Sequence, residues 1–284
     1  MEKRMLVPNE IVDETIAAGI KKSKLKTLQM IILGIIGGAF IALGGYSSAV
    51  ASHSIENFGV AKLVAGTVFP VGLMMILLGG GELFTSNTMI LVGVVDGKVE
   101  LKKMFKNWFF VYFANLLGSI IISYLIFASG GLDVNGGKLG AYALKVAAYK
   151  GSLPFNKAFT SGILCNILVC IAVWMSYGAK DVIHKIFAVW FPIMAFVVAG
   201  YEHCVANMYY FSIGLFAKTN PAYVEIGHFT AEKLSHISIA SMIQNLIPVT
   251  LGNIVGGAVC IGLMYYLALK RIPAKVEVNK GLKM

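Results

Sequence analysis

The chain has 284 residues, of which 57% are hydrophobic and only 13% are charged, and its mean hydropathy is +0.77. This composition lies well outside the balance of a soluble globular protein and excludes one as the main body of the chain. A net charge of +10 is compatible with binding to nucleic acid. No basic stripe interleaved with aromatic residues is present, however, so we predict a membrane protein without such a partner.

The first 26 residues form the first predicted unit, a cytoplasmic amphipathic segment (1–26). They contain acids and bases but no continuous apolar core, which argues against a cleaved signal peptide. We expect an interfacial helix with Asn9 as its N-cap. Its apolar stripe is expected to consist of Ile11, Val12, Ile16 and Ile20. The lysines expected to meet lipid headgroups are Lys21, Lys22, Lys24 and Lys26. A frayed basic tail is the alternative.

Six apolar regions follow, each near or above the roughly 20 residues that cross the hydrocarbon of a bilayer. They are 28–50, 60–95, 108–127, 158–179, 186–217 and 237–269. The predicted fold is an all-α membrane protein, with a six-span domain over 27–269 and a basic cytoplasmic tail at 270–284. Seventeen of the 24 Lys and Arg residues fall at the termini or in the connections on the same side. The positive-inside rule then predicts a multi-pass protein of the inner or plasma membrane with both termini in the cytoplasm.

Two of these regions are too long for one straight helix. The second has 36 residues and as a single helix would extend about 54 Å, against roughly 30 Å of hydrocarbon. Its excess coincides with the glycines at 79–81 and the polar run at 82–87. The fifth region repeats the pattern, with Gly200 before the run at 202–207. Both regions are therefore predicted to be broken helices.

The breaks share the pattern Glu, four residues, Asn, and each lies in the second span of a set of three. This placement predicts an internal repeat whose halves insert with opposite orientation. Asn115-Leu-Leu-Gly118 in the third region and Asn253-Ile-Val-Gly256 in the sixth support the repeat. Glycines in the first and last regions are expected to allow close helix packing. The connection at 128–155 is predicted to be a long outer loop with a short helix.

The ionisable side chains inside the membrane are the candidate functional residues, since each costs about 2.5–3.5 kcal/mol on insertion scales unless it has a partner or a cavity. Glu82 and Glu202 are expected to be structural, accepting backbone N–H groups that a helix break leaves free. His203 both donates and accepts hydrogen bonds, and we expect it in a pore opposite Thr85. Lys150 is expected to draw anions to the outer mouth.

Enzyme signatures are missing from the sequence. It has no HExxH, GxSxG, P-loop or GxGxxG after a strand, and no His/Cys grouping with metal spacing. We therefore predict that the protein is not an enzyme and has neither cofactor nor metal. Two alternatives stay open. One is a membrane protein, enzyme or not, that binds a ligand without transporting it; the other is a neutral-solute pore of aquaporin type, although the paired Asn-Pro-Ala boxes are missing.

Three motifs resemble those of the formate/nitrite transporter family. They are Leu77-Leu-Gly-Gly-Gly-Glu-Leu-Phe-Thr-Ser86, Gly162-Ile-Leu-Cys-Asn-Ile-Leu-Val-Cys-Ile-Ala172 and Gly200-Tyr-Glu-His-Cys-Val-Ala-Asn-Met208. The second departs from the family's pattern modestly, with Ile171 where Leu or Val is usual. The resemblance implies an aquaporin-like fold of two inverted three-helix repeats, a homopentamer with one pore in each protomer, and small monovalent anions and protons as partners. The implied substrate is formate first, with nitrite and hydrosulfide as alternatives.

The resemblance also implies roles for individual residues. Thr85 and His203 would form the central constriction, between the narrow apolar positions Leu83 and Phe196, and Lys150 would be the vestibule lysine. The asparagines that would line or brace the path are Asn166, Asn87 and Asn207. Our hypothesis is that His203, with Thr85, hydrogen-bonds the weak acid and either relays a proton to it or stabilises the anion as imidazolium.

Overall fold

The computed structural model describes residues 4–271, and every regular element within them is a helix. Six helices are long and apolar enough to span a membrane, as predicted. They are Thr27–Ser52, Phe58–Gly79, Leu101–Ala128, Phe155–Gly178, Val182–Ala199 and Ile239–Arg271. Two shorter apolar helices, Phe84–Val95 and Cys204–Ala217, follow the second and fifth spans.

The helices are labelled in chain order. They are α1 (Pro8–Ser23), α2 (Thr27–Ser52), α3 (Phe58–Val68), α4 (Val71–Gly79), α5 (Phe84–Asn87), α6 (Ile90–Val95), α7 (Leu101–Ala128), α8 (Lys138–Gly151), α9 (Phe155–Gly178), α10 (Val182–Ala199), α11 (Cys204–Ala217), α12 (Pro221–Ile226), α13 (Ala231–Ser235) and α14 (Ile239–Ile254). The last span continues from α14 through a π-helical stretch, Val255–Leu263, to Arg271. The rest of the predicted basic tail, 272–284, lies outside the described residues.

Connections between spans gather on two sides of the molecule. On one, the terminal side, the Leu6 N–H donates to the Gly178 carbonyl at 3.1 Å and the Tyr266 hydroxyl donates to Asp96 at 3.1 Å. On the other, the loop side, the Tyr46 hydroxyl donates to the Gly131 carbonyl at 3.0 Å. The predicted helix in the outer loop is α8, which lies on the loop side.

The N-terminal helix α1 differs from its prediction in two ways. Its N-cap is Val7, and Asn9 lies inside the helix, so the predicted cap was wrong. A Glu10 carboxylate oxygen instead accepts the Val7 N–H at 2.9 Å. The predicted apolar stripe packs against the helix bundle. Ile11, Val12 and Ile16 are buried in one cluster with Val92 and Trp174, and Ile20 is partly buried against it, so the stripe is removed from water.

Both predicted helix breaks are present and are built alike. Gly80 and Gly200 adopt positive φ values of 96° and 76°, where other L residues are strained, and this turns the chain out of the preceding helix. The backbone then runs extended into Leu83 and His203, and helices resume at the following residues. Each break therefore directs the start of a new helix, α5 or α11, into the middle of the molecule.

Within each half, glycines allow the first and the third span of that half to pack closely. A Cβ on Gly118 of α7 would lie 2.0 Å from the Ile35 carbonyl oxygen of α2, and one on Gly256 would lie 2.3 Å from the Ile163 carbonyl oxygen of α9. The first and third spans therefore pack as the fourth and sixth do. The third span begins at Leu101 rather than at the predicted 108, because basic residues on its first two turns do not interrupt the helix.

Candidate pore centre at the two helix breaks

A hydrogen-bonded group of four side chains holds the first break. The Lys22 ammonium donates to Glu82 Oε1 at 2.9 Å and to Asn87 Oδ1 at 2.8 Å. Asn87 Nδ2 donates to Glu82 Oε2 at 2.6 Å and to Asn107 Oδ1 at 2.8 Å. Lys22 thus points into the protein, and its predicted place among lipid headgroups was wrong. A buried carboxylate without a cation is strongly destabilising, and Lys22 provides the cation for Glu82.

The second break is held by an equivalent group. The Lys150 ammonium donates to Glu202 Oε1 at 2.8 Å, and Asn207 Nδ2 donates to Glu202 Oε2 at 2.6 Å and to Asn245 Oδ1 at 2.7 Å. One difference separates the two groups: Asn207 Oδ1 has no hydrogen-bond partner among residues 4–271. The four-residue groups, Lys–Glu–Asn–Asn, are called here the first and second clasps.

Backbone groups freed by the breaks are taken up by asparagines rather than by the glutamates, so the predicted acceptor was wrong. Asn115 Oδ1 accepts the Phe84 N–H at 2.9 Å, and its Nδ2 donates to the Glu82 carbonyl at 2.8 Å. Asn253 does the same for Cys204, at 2.9 Å, and for the Glu202 carbonyl, at 3.0 Å. An amide side chain suits this task because it accepts and donates at once. The glutamates are structural through the clasps.

Thr85 and His203 meet where the two new helices begin. Thr85 Oγ1 lies 2.9 Å from His203 Nε2, and both side chains are buried. Each comes from a different half of the chain. The pair predicted from the two breaks is therefore brought into direct contact.

The tautomer of His203 follows from its second nitrogen. Nδ1 accepts the Ala206 N–H at 3.0 Å and so caps α11. In a neutral imidazole only one nitrogen carries hydrogen, so the hydrogen must be on Nε2, which donates to Thr85 Oγ1. The Thr85 hydroxyl hydrogen is then free to donate elsewhere. An imidazolium would place a second N–H against the Ala206 N–H and would uncap the helix.

Apolar side chains flank this pair. Leu83 is 1% exposed and Phe196 3% exposed. The Phe196 ring stacks on the His203 ring, with centroids 5.9 Å apart, and meets Phe69 edge-on at 5.5 Å. The buried Thr–His contact thus lies among apolar walls, where a hydrogen bond is electrostatically stronger than in water.

Asn166, from the fourth span, braces the same point. Its Nδ2 donates to the Thr85 carbonyl at 3.1 Å and to the Asn253 carbonyl at 2.6 Å. Its Oδ1 has no hydrogen-bond partner within the described part of the chain. Asn166 therefore ties the helix that bears Thr85 to the sixth span.

A cavity of about 480 Å³, here called the vestibule, leads from the loop side to this centre. Its lining residues include Phe196, His203 and Asn207, together with Lys62 and Lys150. Lys150 is nevertheless ion-paired with Glu202 and only 8% exposed. Its charge is compensated, which was not foreseen for the predicted vestibule lysine. Over residues 4–271, no group of three His, Cys, Asp or Glu side chains is arranged to hold a metal ion.

Several residues of the site were not predicted from the sequence, although a signal for them exists. Asn107 precedes Asn115 by eight residues, and Asn245 precedes Asn253 by the same distance. Extending the repeat comparison beyond the breaks would have paired both asparagines. The repeat spacing does not indicate Lys62, which has no equivalent in either clasp.

Two broken helices whose new starts meet at a buried polar pair, below a vestibule open to one side, are typical of membrane channels and transporters. A sequence model of the formate/nitrite transporter family matches residues 9–267. The formate channel FocA of Haemophilus influenzae is 39% identical over 263 residues, covering 91% of this chain and 93% of that protein. The chain therefore belongs to the formate/nitrite transporter family, whose members are channels and transporters.

Solved structures confirm the fold class. One described as an FNT family ion channel matches with a TM-score of 0.80 at 30% identity, covering 91% of this chain and 98% of the other. One described as a pentameric formate channel with formate bound matches with a TM-score of 0.76 at 34% identity, covering 85% and 97%. The predicted six-span, all-α architecture with two inverted halves and broken second and fifth helices is thus confirmed.

Proposed function

We propose that this chain is a channel for small monovalent anions, with formate as its main substrate and nitrite and hydrosulfide as the alternatives. The proposal depends on the buried contact between Thr85 and His203 at the meeting point of the broken helices. It is supported by relatives named formate channels and by likeness to a pentameric structure with formate bound. We propose the same homopentamer here, in the plasma membrane with both termini cytoplasmic, and no enzymatic activity.

The proposed passage works through hydrogen-bond donors rather than a fixed charge. An anion leaving water for an apolar constriction loses hydration that a few neutral donors replace only in part. The Thr85 hydroxyl donates to a carboxylate oxygen of formate, while His203 Nε2–H donates to Thr85 Oγ1 and polarises that hydroxyl. Leu83 and Phe196 keep bulk water away from the pair and so strengthen both hydrogen bonds.

Proton transfer by His203 has a structural cost in this arrangement. An imidazolium requires Nδ1 to leave the Ala206 N–H, since both ring nitrogens would then be donors. We therefore propose the neutral imidazole as the form that formate meets. In this view, His203 assists passage by hydrogen bonding, and any proton that accompanies formate comes from solvent.

Formate flux into proteoliposomes, followed across pH 5 to 8, tests the function. The informative variant is His203→Asn, because asparagine is itself a good N-cap and preserves the start of α11. Its shorter side chain cannot place a donor where Nε2–H meets Thr85, so we expect flux to fall about twofold to tenfold, as for loss of one hydrogen bond of about 0.5–1.5 kcal/mol. Flux of water or glycerol in place of formate would contradict the proposal. So would wild-type flux in His203→Asn.

A further inference from the structure

Lys62 is a cation inside a membrane-spanning helix that neither clasp uses. It lies on the second turn of α3, within the span Phe58–Gly79. A charged side chain there is costly unless it faces a cavity, a partner or the interface. Lys62 lines the vestibule together with Phe196 and His203. Its position on the wall of the solute path needs a physical reason.

Lys62 and Lys150, two of the three lysines that line the vestibule, differ in what surrounds their ammonium groups. Lys150 is buried, donates to Glu202 at 2.8 Å and lies over the Tyr210 ring, 5.2 Å from its centroid. For Lys62, no hydrogen bond or ion pair is made with any residue between 4 and 271, and its contact is with the Phe58 ring at 5.8 Å. Because Glu202 neutralises Lys150, the positive charge of Lys62 has no counter-charge in contact with it among residues 4–271.

The ammonium of Lys62 is close to the second break. A Cβ built on Gly200 would lie 3.3 Å from Lys62 Nζ, and Gly200 is three residues before His203. The carboxyl end of α10 gives the ammonium a favourable dipole, which explains why the charge is tolerated there, but none of its carbonyl oxygens accepts a hydrogen bond from Lys62. The three ammonium hydrogens therefore have no acceptor among residues 4–271, in a side chain that lines the same cavity as Phe196.

We propose that Lys62 is the anion-positioning residue of the vestibule, binding the carboxylate of formate, or another small monovalent oxyanion, directly above Phe196 and His203. This inference depends on the proposed function. A cation in a cleft with low-dielectric walls concentrates counter-ions, and the compensated pair Lys150–Glu202 does not. The other charged side chains at the vestibule are Glu56 and Lys145, which are exposed and belong to its rim.

The test measures formate uptake by reconstituted protein as a function of formate concentration. In Lys62→Gln we expect the half-saturating concentration to rise about threefold to tenfold with little change in maximal flux, since the focusing charge is lost. Lys62→Arg keeps the charge and should stay near the wild-type value. The matched control is Lys157→Gln, which removes an exposed lysine of the loop side that does not line the vestibule.

Salt provides a second readout that a merely structural lysine would not move. Raising the ionic strength screens an attraction between charges, so the difference between wild type and Lys62→Gln should shrink as salt increases. A Lys62→Cys variant guards against a folding defect. Reaction with an aminoethyl methanethiosulfonate restores a positive charge to the same folded protein and should recover low half-saturation, while the neutral methyl reagent should not.

The outcomes separate the two proposals. Absence of formate flux in the wild-type protein would overturn the proposed function itself. Wild-type flux together with unchanged half-saturation and salt dependence in Lys62→Gln would overturn the role of Lys62 alone. Recovery by the aminoethyl reagent and not by the methyl reagent would support it. Cys165, Cys170 and Cys204 are buried, and the partly exposed Cys260 is removed as Cys260→Ser in both the Lys62→Cys protein and its control.

Discussion

Some side chains at the two breaks hold the backbone, and others form the Thr85–His203 contact proposed to meet the solute. Glu82, Glu202 and their lysine partners are engaged with other side chains of the clasps, so they fix the extended segments. Thr85 has a hydroxyl hydrogen to spare once His203 donates to it. The free hydrogen-bond donor at this point therefore belongs to an uncharged threonine.

The hydroxyl of Thr85 can be tested apart from its shape. Thr85→Val removes it at nearly constant volume and leaves His203 Nε2–H without an acceptor, which costs about 1–3 kcal/mol in a buried site. We expect formate flux in proteoliposomes to fall about tenfold or more in this variant. Thr85→Ser keeps the hydroxyl and should retain most of the flux. Equal flux in both variants would remove Thr85 from the mechanism.

At the scale of helices, the sequence is informative wherever apolar length and glycine position determine structure. The excess length of the second and fifth regions, with Gly80 and Gly200, located both breaks. What sequence reasoning missed depends on side-chain direction in space. Nothing in the spacing of α1 says that Lys22 turns inward to Glu82, because an amphipathic basic helix satisfies a lipid surface equally well.

Contacts between α2 and α7 give a prediction about stability. Gly118→Ala places a Cβ 2.0 Å from the Ile35 carbonyl oxygen, so the two helices must separate, at a cost of about 1–3 kcal/mol for overpacking. Gly79→Ala is the matched control, since a Cβ there meets nothing within 4 Å. We expect the thermal midpoint of the detergent-solubilised protein to fall for Gly118→Ala only. Similar midpoints for the two variants would argue against close packing here.

In the whole molecule, the two halves correspond residue by residue at the helix break, in the clasp and at the asparagine that bonds the freed backbone groups. Lys22 and Lys150, Asn107 and Asn245, and Asn115 and Asn253 do the same work in opposite directions. Comparing the sequences of the two halves revealed this relation only at the helix breaks and at the motifs that begin with Asn115 and Asn253. Outside them, apolar positions are interchangeable and hide the repeat.

Membrane orientation is the prediction at this scale. Lys138→Cys lies on the loop side and Lys102→Cys at the terminal side, both at exposed positions. If both termini are cytoplasmic, a membrane-impermeant maleimide added to whole cells should label Lys138→Cys alone. Permeabilised cells should show labelling of both variants, and the unsubstituted chain gives the background from its own cysteines. Labelling of Lys102→Cys in intact cells would reverse the assigned orientation.

The direct contact between Thr85 and His203 also bears on how fast solutes can cross. Anything passing between these side chains has to separate them, but one hydrogen bond contributes only about 0.5–1.5 kcal/mol net, so parting them slows passage by no more than about tenfold. Turnover in such a protein is therefore governed by how much hydration the solute must give up, with the touching side chains a minor delay.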